Sequence, residues 1–230
     1  MYFKEMNELF TFKNLYMIPL TMAVINSFRS VKEGWSIAFR IFTLFLIITF
    51  VIEVFAHSWV YWLHETIYWK FTDTTHWIYQ LYLIVGMPWI FHYFSYFIIE
   101  NKRKIYFRWF IVLFIFFSVI NFILSLLPYQ IDTINLIFSF LSIIILIIYF
   151  FNTVMKKNDF FYLTKSSEVW IALGAFLYYS GTTPLLLSIN HFNQTDMAVS
   201  DSLYFIIDVL NIIMYTSYAI AFLCSPKILT

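Results

Sequence analysis

Glu53 and His57 stand one helical turn apart in the stretch EVFAHSWVYWLHE, residues 53 to 65, which follows a long apolar run. At 100° per residue they share a helix face, and His64 falls within about 40° of them if the helix continues past residue 64. A carboxylate and an imidazole at this spacing can share a proton, bind one metal ion or form a hydrogen-bonded pair. His64 lies about 10 Å further along the axis than His57, outside any common coordination shell. A catalytic zinc takes three protein ligands, and a third would have to come from His76, His191, Asp201 or Asp208. Zinc held by Glu53, His57 and His191 is therefore the alternative. The reading adopted is a Glu53/His57 pair without metal or other cofactor.

The surroundings of this pair decide what chemistry is open to it. The chain has 62% hydrophobic and only 12% charged residues, against about 45 to 50% and about 25% in soluble domains. An integral, multi-pass protein of the cytoplasmic (inner) membrane is expected, with the lipid bilayer as its first partner. A net charge of +1 gives no reason to expect nucleic acid, which requires clustered Lys and Arg on a usable face. The single Cys224 excludes an internal disulfide and a multi-thiolate metal site. The opening MYFKEMNELFTFK lacks a basic n-region and a small-residue cleavage site, so no removable signal peptide is expected.

A helix needs about 20 mainly apolar residues to cross the hydrocarbon layer. Segments of this kind lie at about 9–28, 37–56, 77–99, 107–127, 133–151, 169–189 and 203–223. An all-α bundle of seven transmembrane helices in a single domain, residues 1–230, follows. Six helices are the alternative, because Lys13, Pro19 and Asn26 interrupt the first segment. Arg29, Lys32 and Arg40, then Lys102, Arg103, Lys104 and Arg108, then Lys156, Lys157 and Lys165, fall in alternate connections. Basic connections stay in the cytoplasm, so the N-terminus is expected outside and the C-terminus inside.

With that orientation, polar residues collect in the outer halves of the spans. Glu53, Asn121, Asn135, Thr182, Thr183, Asp208 and Asn211 are placed there. An ionisable group at the bilayer centre costs about 2.5 to 3.5 kcal/mol on insertion scales, so it faces a cavity or a partner. Asp201, Tyr204, Asp208, Asn211 and Tyr215 form a stripe within about 80° on the last span. An outward-facing polar pocket is expected, lined by Glu53, His57, Asn121, Thr182, His191, Asp208 and Asn211, with the second and last spans facing it. For Asn and Ser side chains the competing reading is simple helix-to-helix hydrogen bonding. Trp59, Tyr61, Trp62, Tyr68 and Trp69 have the composition of an interfacial aromatic belt. Gly174 and Gly181 share a face and permit a neighbouring backbone to approach, while Pro88 and Pro184 can kink their helices.

The stretches HWIYQLYLIVGMPWIFHYF (76–94) and SSEVWIALGAFLYYSGTTPLLL (166–187), the latter after a basic loop, carry a resemblance. In these and in the seven short-looped helices the chain resembles a group of uncharacterised bacterial seven-helix membrane proteins. The resemblance spans most of the chain on loose Trp, Gly, Tyr and Pro spacing, and it implies an architecture without an activity. The layout is also similar to the seven-helix sensory modules that precede histidine kinases, with no kinase attached. Residues 203–223 contain no Lys for a retinal.

The function expected is non-enzymatic and receptor-like: a small or lipid-like ligand enters the outward pocket, and a membrane or cytoplasmic protein partner takes up the signal, with the oligomeric state left open. One alternative is an intramembrane lipid hydrolase using Glu53, His57 and Asp208, with water activated by an acid or a metal. The other is a structural subunit of a membrane assembly.

Overall fold

The computed structural model describes residues 14–62, 66, 75–97, 101–125, 133–156, 165–195 and 197–226. Among them the chain is all-helical, in seven helices: α1 Met17–Lys32, α2 Ile37–Trp62, α3 His76–Ser95, α4 Asn101–Ser125, α5 Thr133–Lys156, α6 Ser167–Thr195 and α7 Met197–Ala221. Five contain stretches long and apolar enough to cross a membrane: Ile37–Val60, Lys104–Leu124, Ile134–Met155, Ser167–Ile189 and Ala198–Ala221. In α4 only 11% of the apolar stretch is buried, leaving Trp109, Leu113, Phe116 and Ile123 exposed. A soluble protein does not leave so large an apolar face in water.

The shorter α1 has 16 residues, about 24 Å at 1.5 Å per residue. It begins late enough to place Pro19 in its first turn, where the missing N–H has no intrahelical partner to lose. The sequence placed the same proline inside a span from residue 9. The other end of α1 closes with Gly34 at φ 67, a left-handed conformation that glycine adopts without a Cβ clash. Gly34 N–H then bonds the Val31 carbonyl at 3.3 Å, and Trp35 N–H the Ser30 carbonyl at 2.9 Å. These two bonds satisfy carbonyls that the last helical turn leaves open.

The chain divides into two compact units, one formed by Ile37–Ser139 and the other by Met1–Ser36 with Phe140–Thr230. In the first, α2 packs on α3 and α3 on α4. Its core is aromatic: Tyr93 meets Phe42 at 4.9 Å and Phe39 at 6.1 Å, and Phe91 meets Phe114 edge-on at 5.0 Å. Such pairs add about 0.5 to 1.5 kcal/mol beyond area burial. Ser118 of α4 donates to the Asn135 side chain of α5 at 2.9 Å, with both residues buried. This is the helix-tying role expected of Asn and Ser.

In the second unit α7 is the central helix, packed on both α6 and α1. Gly174 and Gly181 of α6 face it. A Cβ on Gly174 would stand 2.7 Å from the Ser217 Cβ and 3.1 Å from the Met214 carbonyl, and one on Gly181 2.9 Å from a Leu210 methyl. On the α1 side, Asn26 donates to the Ala219 carbonyl at 3.2 Å, and Tyr16 stacks on Tyr215 at 6.2 Å. Phe140 of α5 packs edge-on against Tyr179 of α6 at 4.8 Å.

Candidate functional site

Thr49, Glu53 and His57 recur every fourth residue along α2, so they form one stripe on the helix. Tyr79 and Tyr82 stand three residues apart on α3 and meet that stripe. The Thr49 and Tyr82 hydroxyls lie 3.2 Å apart, and the Tyr79 hydroxyl donates to Glu53 Oε2 at 3.2 Å. Together they make a polar seam between two apolar helices. It is graded in exposure: Thr49 is buried, Glu53 and His57 are half-buried, and Tyr79 is exposed. The seam therefore leads from an accessible carboxylate towards a closed hydroxyl pair.

His57 Nδ1 lies 2.8 Å from the Glu53 backbone carbonyl. A carbonyl oxygen only accepts, so Nδ1 is the donor in this bond, and in the neutral form of the ring the acceptor is Nε2. Glu53 thus contributes twice: its carbonyl accepts from the imidazole Nδ1, and its carboxylate accepts the hydrogen bond of the Tyr79 hydroxyl.

Above Glu53 the same two helices meet through Phe55, Trp59 and Trp77. The Trp59 and Trp77 rings are 5.1 Å apart and edge-on, and Phe55 lies 6.0 Å from each. The indole N–H groups of Trp59 and Trp77 are buried without a hydrogen-bond acceptor among the described residues. Trp62 is 80% exposed, as an interfacial ring would be. His64, Glu65, Tyr68 and Trp69 lie outside the described residues, as do the side chains of Tyr61 and His76.

The remaining residues of the expected pocket fall as follows. Asn121 is half-buried on α4, and its Nδ2 is buried without a partner among the described residues; the Thr182 hydroxyl on α6 is likewise buried and, among the described residues, unpartnered. Asp208 and Asn211 are half-buried on α7, between exposed Asp201 and Tyr204 and buried Tyr215. His191 lies in α6, with its side chain outside the described residues. Glu53, His57 and Asn121 belong to the Ile37–Ser139 unit, and Thr182, His191, Asp208 and Asn211 to the other. The seam brings Glu53 and His57 together with Tyr79. Among the described residues no three His, Cys, Asp or Glu side chains are grouped to hold a metal ion.

Two features of the second unit escaped the sequence reading. Arg29, near the end of α1, donates Nε to Glu33 at 2.6 Å and Nη1 to the Phe222 and Leu223 carbonyls at 3.2 and 2.9 Å. Trp35 donates its indole N–H to the other Glu33 oxygen at 3.0 Å and stacks on Phe222 at 6.0 Å. The Arg29 and Trp35 bonds hold the Glu33 carboxyl below its ordinary pKa. Arg29 thereby caps the end of α7 with a charge of the favourable sign.

The second feature is Glu168, which is fully buried in the first turn of α6. Ser166 donates to its side-chain Oε2 at 2.6 Å. Ser166 also pairs with Ser225 beyond α7. The signal available in the sequence was the Ser-Ser-Glu run at a helix start.

No protein-family model, curated protein or solved structure matches the chain.

Proposed function

We propose that this is a multi-pass protein of the cytoplasmic membrane, N-terminus outside and C-terminus inside. It binds a small or lipid-like ligand from the outer side without chemical turnover and acts through a protein partner. The observation that carries the ligand reading is the α2/α3 seam. Glu53 is a half-buried carboxylate within an apolar helix, held by Tyr79 at 3.2 Å, next to an imidazole anchored at Nδ1. A carboxylate kept at that position has a use that outweighs its insertion cost. Asn121, in the same unit as the seam, remains a further ligand contact of this reading.

The test is the small-molecule and lipid content of the purified full chain, compared with Glu53→Gln. The amide keeps an acceptor for Tyr79 and removes the charge. A molecule retained by the wild type and lost from a folded Glu53→Gln protein supports the reading.

One observation favours the lipid-hydrolase alternative. With Nδ1 anchored, His57 Nε2 is oriented to take a proton from water or a substrate hydroxyl. Turnover of an added lysophospholipid that stops in His57→Gln would establish that reading in place of the first.

A further inference from the structure

We propose that the basic end of α1, together with the chain leaving α7, binds the phosphate of an anionic phospholipid, whose acyl chain lies along α1. The seat is a pocket of ≈ 440 Å³. Its walls are apolar at Ile25, Phe28 and Leu223, and its polar rim is Arg29, Lys32 and Glu33.

Three observations converge on this ligand. The first is the order of residues along one face of α1. Ile18, Met22, Ile25, Arg29 and Lys32 fall within about 80° of one another, so a single stripe runs from exposed aliphatic side chains to two cations. Ile18 and Ile25 are 61% and 64% exposed. An acyl chain followed by a phosphate has the same sequence of chemistries.

The second is the unused donor capacity of Arg29. Its Nε and Nη1 are committed to Glu33 and to two carbonyls. Among the described residues nothing accepts from Nη2, whose two hydrogens are separate charge-assisted donors for phosphate oxygens. The third is charge. The Glu33 carboxylate is occupied by Arg29 and Trp35, while exposed Lys32 has no ion-pair partner among the described residues. The rim keeps an excess of one positive charge beside an apolar wall. Zwitterionic lipids gain nothing from that excess, whereas anionic ones gain about 1 kcal/mol per nearby cation, roughly fivefold in affinity.

The proposal rests on the membrane reading and is independent of any ligand at the α2/α3 seam. The test uses the detergent-purified full chain, titrated with phosphatidylglycerol or phosphatidylcholine and read by native mass spectrometry and thermal midpoint. Phosphatidylglycerol is expected to bind about fivefold more tightly than phosphatidylcholine. In Lys32→Gln the preference should disappear at an unchanged midpoint without lipid, and in Lys32→Arg it should persist. Equal binding of the two lipids to the wild type, or a preference that survives Lys32→Gln, would overturn the proposal. Equal protection by inorganic phosphate at matched concentration would overturn it as well, since it would show the acyl track to be irrelevant.

Discussion

The Tyr79 hydroxyl reaches across from α3 to the Glu53 carboxylate of α2 at 3.2 Å. This bond joins two helices at the point where their shared seam opens, so its removal tests whether the seam is structural. Tyr79→Phe keeps the ring and deletes the donor. The expected loss is about 0.6 to 1.7 kcal/mol, the range for hydrogen bonds between membrane helices, read as a small fall in thermal midpoint. A loss several times larger would mean that Tyr79 anchors the helix pair itself.

Close approach of α6 to α7 depends on Gly174 more than on Gly181. A Cβ on Gly174 meets the Ser217 Cβ and a backbone carbonyl, neither of which can easily retreat, whereas Gly181 faces the end of a Leu210 side chain. Gly174→Ala should cost about 1 to 3 kcal/mol by overpacking, and Gly181→Ala clearly less. Thermal unfolding of both variants checks the order.

Arg29 closes the end of α7, so Arg29→Met leaves the Phe222 and Leu223 carbonyls without their donor and Glu33 without its cation. The expected cost is about 1 to 2 kcal/mol, below the full value for a charged hydrogen bond because the guanidinium is partly exposed. Faster amide exchange in the last turn of α7 should accompany it.

Glu33 gives this corner a pH dependence of definite sign. Its folded pKa lies below the ordinary 4.5, so its contribution is complete above that value and is lost as pH falls through the lowered one. The midpoint difference between wild type and Glu33→Gln should be constant near neutrality and shrink under acid. A difference that grows as pH falls would contradict the assignment.

Much of this architecture was legible because apolar length and periodicity are local properties. Residues 133–151 and 169–189 announce helices from composition alone, and Gly174 and Gly181 mark a close-packed face seven residues apart. Asn135 was legible as a helix tie, though its partner Ser118 was not. The seam was half visible: the spacing of Glu53 and His57 is plain, but nothing distinguishes Tyr79 and Tyr82 among 17 tyrosines until α3 is laid beside α2. The Arg29 corner was illegible for the same reason. Its carbonyl partners lie 193 and 194 residues away, and backbone acceptors leave no trace in residue type. Glu168 looked like an ordinary helix-start acid, and only its burial sets it apart.

The proposed role of the α2/α3 seam is to hold a ligand through Glu53. The most direct measurement is mass spectrometry of the molecules extracted from purified wild-type and Glu53→Gln protein, with thermal midpoints taken on the same samples. One species is expected to be retained by the wild type in near-stoichiometric amount and to be absent from a Glu53→Gln protein of similar midpoint. Equal retention by both, or none by either, would contradict it and leave the seam as a hydrogen-bonded helix contact.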